Sequence, residues 1–203
     1  MEIMPKDSTK ASAVKRLKKL LGCNYVVVFG DGINDIEMFE LADEAYAMEN
    51  AVEVTDMKIL EVNENKKKYI SLLLLADEQE SMIDRYLERG TMYVLEDGNV
   101  KAECVVTDEG NGILEIKNIA VEPKNQGKGY GKTLIDFIAC KYADRYSVLQ
   151  VGTGDSPLTI PFYEKCGFVR SHKVSNFFTD NYDHPIYECG VQLVDMIYLQ
   201  RRL

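Results

Sequence analysis

The chain has 203 residues, of which 46% are apolar and 28% charged, with 24 basic against 33 acidic side chains and a net charge of −9. This is the composition of a globular protein long enough for one large domain or two small ones, and it excludes a disordered tail, a collagen and a coiled coil. The acidic balance disfavours broad binding to nucleic acid or anionic lipid, and no apolar run approaches the ~20 residues of a membrane helix.

In chain order, residues 8–21 place Ala11, Val14, Leu17, Leu20 and Leu21 on a helical stripe, with Ser8 as cap and Gly22 as stop. Residues 25–29 (YVVVF) form a continuous β-branched run, the mark of a strand buried on both faces. A short helix at 34–42, a strand at 45–48 and a linker at 63–68 complete a first segment, 1–65. The second, 66–203, reads as a mixed α/β domain. It begins with a strand at 69–75 and a helix at 77–89. Strands at 91–97 and 100–108 join at the Asp97-Gly98 turn. A strand at 113–121, a helix at 129–143, a strand at 147–152 and a short helix at 158–166 follow. Strands near 168–178 and 191–199 end the chain. Glu2, Lys6 and Asp7 leave no apolar stretch for a secretory leader. Cys23, Cys104, Cys140, Cys166 and Cys189 lack any CxxC spacing, which fits reduced thiols in a cytoplasmic protein.

The stretch richest in chemistry is EPKNQGKGYGKTLI, residues 122–135. A strand that runs into Gly127, Gly129 and Gly131 and then a helix exposes backbone N–H groups at a positive helix end, a cradle for phosphate. A tight turn that binds nothing is the plain alternative. The P-loop template needs glycine at Gln126, and GxGxxG fails at Lys132 or at Leu134. The acetyl-CoA loop [RQ]xxGx[GA] does fit, as Gln126-Gly127-Lys128-Gly129-Tyr130-Gly131. With PFYEKCGF (161–168) about 30 residues later, residues 69–203 resemble the GCN5-related N-acetyltransferase (GNAT) superfamily.

That resemblance implies an α/β (α+β) fold whose mixed sheet is splayed at its centre, acetyl-CoA as co-substrate, and no required metal. The main chain of Ile119, Ala120 and Val121 would hold the pantetheine arm. Gln126, Gly127, Lys128, Gly129, Tyr130, Gly131 and Lys132 would hold the pyrophosphate. Tyr163 would give a proton to the leaving thiolate. Glu115 stands where part of the family carries a general base; an ion pair with Lys117 or a water chain remains the alternative. By strict alternation Glu115 shares a face with Lys117, Ile119 and Val121, opposite Asn118 and Ala120. Ser156, after the 147–152 strand, is a further candidate contact to the cofactor arm. The acceptor is a primary amine on a small molecule or peptide. A non-catalytic acyl-CoA-binding or regulatory module is the rival reading.

Residues 1–62 resemble the C-terminal end of Cof-type phosphatases of the haloacid dehalogenase (HAD) superfamily. MPKDSTKASAVKRL would put Lys10 at their phosphate lysine, and FGDGINDIEMF would put Asp31 and Asp35 near Mg²⁺. The DxD nucleophile of that chemistry is missing from the chain, so the fragment is expected to be a packing remnant without a metal site. Its apolar strand needs cover, from the second domain or from a second copy in a homodimer.

Overall fold

The structure, a computed structural model, describes residues 9–23, 25–30, 35–47 and 57–203. Two compact units make up the chain, Met1–Thr55 and Asp56–Leu203.

In the first unit α1 spans Lys10–Leu21. Its cap is Thr9, which accepts from the Ser12 backbone N–H at 3.1 Å, while the Ser12 hydroxyl accepts from the Thr9 N–H at 3.0 Å. Ser8, the cap expected from sequence, lies outside the described residues. Gly22 ends the helix in the left-handed conformation, φ 63°. β1 (Val27–Gly30) and β2 (Glu44–Ala47) pair in parallel, with α2 (Ile36–Phe39) between them. Ala11 and Val28 are buried, whereas Leu17, Leu20 and Leu21 are exposed. Lys10 and the buried Asp35 form an ion pair; Asp31 falls outside the described residues.

The second unit is a seven-stranded sheet in the order β3-β4-β5-β6-β7-β11-β8. β3 (Lys58–Val62) is followed by α3 (Ile70–Ala76) and α4 (Glu80–Ile83). Next come β4 (Thr91–Asp97), β5 (Asn99–Gly110), β6 (Ile113–Val121) and α5 (Tyr130–Tyr142). β7 (Val148–Gly154), α6 (Thr159–Lys165), β8 (Val169–Val174) and α7 (Phe177–Asn181) follow. A short hairpin of β9 (Tyr187–Glu188) and β10 (Val191–Gln192) leads to β11 (Met196–Arg202). All neighbouring pairs are antiparallel except β6 with β7. One core unites α5 and α6 with Leu95, Cys104, Ile116, Val151 and Leu199. Another unites Leu73, Ile83, Tyr86 and Leu87 with Met92, Val94 and Val105. The sheet is thus covered on both faces.

Four expectations change. Residues 69–75, read as a strand, form α3: the run is mostly leucine, a strong helix former, and short apolar runs carry no periodicity to decide the matter. Residues 58–62, placed in the first segment, form an edge strand registered against β4 from Lys58↔Glu96 to Val62↔Met92. The division between the units accordingly falls at Thr55/Asp56 and not at 65/66. The helix expected over 77–89 keeps one regular turn, and single turns carry the chain on to Gly90. The strand expected at 168–178 stops at Val174, because Asn176 turns left-handed (φ 57°) to cap α7. Lys66 stitches the segment before α3 to the end of the α4 turns, donating to the carbonyls of Leu87 (2.9 Å), Glu88 (3.3 Å) and Gly90 (2.6 Å).

Candidate active site

The central strands part beside Ile119, Ala120 and Val121. β6 and β7 are in parallel register only from Ile113↔Val148 to Ile116↔Val151. Beyond that point residues 118–121 stay paired with β5 and Gly152–Gly154 stay paired with β11. Ile119, Ala120 and Val121 therefore border a gap on the β7 side, where strand edges carry unpaired backbone groups that favour an added strand.

At the end of β6 the chain makes one tight turn over Pro123–Asn125 and enters the glycine loop. Gly127 (φ 78°) and Gly129 (φ 90°) are left-handed, and a Cβ on either would meet nothing within 4 Å. The requirement there is backbone conformation beside open space. Gly131 differs. A Cβ on it would lie 3.2 Å from the Phe162 ring and 3.5 Å from Val121, so it serves the packing of α5. The first hydrogen bond of α5 runs from the Thr133 N–H to the Gly129 carbonyl at 2.9 Å, leaving the preceding N–H groups as the free donors of a helix start. Lys124 pairs with Glu122 and Lys132 with Asp136. Lys128 donates to Asn125 Oδ1 at 3.1 Å and meets no carboxylate among the described residues. Gln126 Nε2 donates to the Val121 carbonyl at 3.2 Å, and Tyr130 donates to Asp97.

Glu115 sits on the other face of the sheet from the one alternation predicts. The β5–β6 register slips between Val105↔Asn118 and Val106↔Ile116, so Lys117 is an extra residue on β6. Leu114 and Ile116 before it, and Ile119 and Val121 after it, all point into the α5 core. Glu115 consequently shares its face with Asn118 and Ala120. It is buried, and its carboxylate accepts from Lys117 Nζ at 2.7 Å and from Gln150 Nε2 at 2.8 Å. Gln200 Nε2 donates to Gln150 Oε1 at 2.7 Å, extending the polar face to β11. Tyr198 lies close by, its hydroxyl pushed up to about 12 by burial and by the charges of Glu115 and Glu109.

Tyr163 lies within the α5 core together with Ile116 and Val151, the last paired residues before the strands part, and Ile119 packs against the same cluster. Its ring meets Phe162 and Phe168 edge-on, with centroids 5.2 and 5.7 Å away. Burial, with Cys104 and Cys166 nearby, raises its phenol well above the ordinary range, so the group keeps its proton at any working pH. The Ser156 hydroxyl accepts from the Leu158 N–H at 3.1 Å and so shapes the entry to α6. His172, exposed, stacks on Tyr198, and exposed His184 faces Asp183 and Glu78.

Comparison with known proteins agrees with this geometry. An acetyltransferase (GNAT) domain model matches residues 88–170. The uncharacterized N-acetyltransferase YvbK of Bacillus subtilis is 37% identical over 139 residues, covering 67% of this chain and 90% of that protein. The chain belongs to the GNAT acetyltransferase family. A GNAT acetyltransferase from Elizabethkingia anophelis, solved with acetyl-CoA bound, shares 35% identity and a TM-score of 0.69, covering 73% of this chain and 99% of its own. Residues 1–68 match a haloacid dehalogenase-like hydrolase model. There the chain is 54% identical over 44 residues to the 5-amino-6-(5-phospho-D-ribitylamino)uracil phosphatase YbjI of Escherichia coli, spanning 16% of that protein.

Within this GNAT domain two residues that sequence reasoning passed over stand out. Glu103, on β5, is wholly buried, and Asn118, on β6, is 3% exposed. The available signal was a carboxylate inside the apolar run AECVV, whose alternation makes it face inward. Among the described residues no group of three or more histidine, cysteine or acidic side chains is placed to hold a metal, and no helix is long and apolar enough to cross a membrane.

Proposed function

We propose that this GNAT enzyme transfers an acetyl group from acetyl-CoA directly to a primary amine, with Ile119–Val121 and the 126–132 loop holding the co-substrate. The observation that carries this reading is the parting of β6 from β7 beside a left-handed glycine loop at a helix start. Unpaired backbone groups in a protein interior are costly, so a strand edge left open there fits a ligand that supplies the missing bonds. Acetyl-CoA supplies an activated thioester. Around it the protein has three tasks: to align the pantetheine arm on the β6 edge, to hold a proton near the sulfur, and to receive the amine uncharged.

Tyr163 suits the second task, since its raised phenol stays protonated and ready to donate. Glu115 suits the third, being on the face of the sheet that also carries Asn118 and Gln150. Glu115→Gln keeps the size but sets an amide against the Lys117 or Gln150 donor. It should lower kcat/KM for the amine by roughly tenfold or more. A kcat/KM equal to that of the wild type would leave Glu115 as a structural partner of Lys117.

The loop is tested at Gly129. Any side chain there is strained by the φ of 90° but has open space, so Gly129→Ala should weaken acetyl-CoA binding about tenfold or more with little change in thermal stability. Calorimetry showing unchanged affinity would remove the basis of the reading. Gly131 is unsuitable for this test, since its Cβ contact with Phe162 would confuse packing with binding.

A further inference from the structure

Two side chains buried beneath α3 and the α4 turns carry polar atoms that meet no partner. Neither carboxyl oxygen of Glu103 accepts an ordinary hydrogen bond, nor does Asn118 Oδ1. Turning the amide over would not help. Asn118 Nδ2 donates to the Leu73 carbonyl at 3.0 Å and to the Tyr86 hydroxyl at 2.8 Å. A carbonyl can only accept, so the nitrogen must face Leu73 and the oxygen must point away.

Across the β5–β6 ladder Glu103 pairs with Ala120 and Val105 with Asn118. Glu103 and Asn118 are therefore diagonal neighbours on one face, a separation that long side chains span. Three acceptor atoms lie in this small region without a hydrogen bond. An ionised carboxylate there would be an uncompensated buried charge, costly in any protein interior. One proton placed on Glu103 gives both groups what they lack.

We propose that Glu103 carries this proton and donates it in a hydrogen bond to Asn118 Oδ1, and that the carboxyl–amide pair is a positioning latch seating α3 and the Tyr86 turn on the cofactor strand. The latch continues outward. Tyr86 donates to Asp77 Oδ2 at 3.3 Å, and Tyr182, just after α7, donates to Asp77 Oδ1 at 3.0 Å. Its influence on rate rests on the acetyl-transfer reading; its existence does not.

The titratable groups near Glu103 are Asp77 and Tyr86 from the α3–α4 segment, Cys104 beside it on β5, and Tyr163 from α6. Val94 on β4 and Ala120 on β6 face it with apolar side chains. No cation is among them. Burial pushes the Glu103 carboxyl from its ordinary 4.5 up to about 8; the Ala120 backbone N–H across the ladder makes no ordinary hydrogen bond to it and offsets only part of that rise. The folded chain thus keeps a proton that the unfolded chain has released. This contribution to stability is full below about pH 4.5 and is lost as pH rises toward about 8.

Glu103→Gln tests the latch because glutamine keeps the shape and carries a permanent donor; Glu103→Leu removes the donor. Infrared spectroscopy should find a protonated carboxyl band at about pH 6 that disappears above about pH 8 and is absent from Glu103→Gln. The melting temperature of the wild type should fall between about pH 5 and 8, while that of Glu103→Gln stays level and lies above it at the alkaline end. With acetyl-CoA and spermidine or tyramine as probe amines, the ratio of kcat/KM between Glu103→Gln and wild type should rise about tenfold from pH 7 to 9. Glu103→Leu should raise the KM for the amine at every pH with acetyl-CoA affinity unchanged. An ionised carboxyl at pH 6, or identical melting and rate profiles for wild type and Glu103→Gln, would overturn the latch. If no probe amine is turned over, the infrared and melting arms still decide it, and failure to bind acetyl-CoA would count against the transferase reading alone.

Discussion

Replacing Tyr163 by phenylalanine is expected to lower kcat about a hundredfold while leaving acetyl-CoA affinity within a factor of about two. The substitution removes one oxygen and keeps the ring, so the edge contacts with Phe162 and Phe168 survive. Alanine would be the wrong probe, since emptying a site this deep in the α5 core costs about 3–5 kcal/mol and would unfold before it informed. The phenol stays protonated across the working range, so its own titration should leave no mark on the pH profile; the loss should be a uniform drop in rate. Thiol release followed at saturating acetyl-CoA, with binding measured separately by calorimetry, separates the two quantities. A Tyr163→Phe enzyme with undiminished kcat would return the residue to the core as packing alone.

The second large effect concerns where the transferase domain begins. A chain starting at residue 56 keeps β3, and one starting at residue 63 loses it. Removing β3 takes five registered pairs from β4, the buried Val62 side chain, and the bond from the Tyr93 hydroxyl to Glu61. It also leaves β4 as a bare edge with exposed ladder groups. The shorter chain should be less stable by roughly 3 kcal/mol, or about 6–12 °C in melting temperature, and more prone to associate. The longer one should retain acetyl transfer. Scanning calorimetry and light scattering on the two truncations make the comparison; equal melting temperatures would mean that β3 adds nothing to the domain. Neither phosphatase chemistry nor a DxD motif enters this test.

Much of the candidate site is legible in the chain because its signals are local. Gly127 and Gly129 need left-handed backbone, which a short pattern of glycines records, and Tyr163 lies in a motif with fixed spacing. What could not be read depends on partners far apart in sequence. Lys117 is an extra residue only relative to β5, so counting along β6 by twos puts Glu115 on the wrong face. The leucines of α3 are apolar in every direction, and only the sheet beneath them decides helix over strand. Glu103 is conspicuous as a carboxylate in an apolar run, but that Asn118 is its diagonal neighbour depends on the β5–β6 ladder. β3 was missed for the same reason: an edge strand with one buried residue, Val62, carries almost no pattern of its own.

A protein that handles acetyl thioesters also places its own amines within reach of them. Lys66 spends all three of its N–H donors on main-chain carbonyls, at Leu87, Glu88 and Gly90. With its nitrogen turned into three carbonyls, it can meet an acyl carbon only by giving up those hydrogen bonds. Its neighbour Lys68 is exposed and lies over the Tyr69 ring instead. Within a run of three adjacent lysines, the middle of a polar stretch that looks uniform, chemical acetylation should therefore spare the first and mark the third. The resistance comes from the fold alone and would disappear with it, which makes the modification state of Lys66 a natural reporter of whether the segment before α3 is in place.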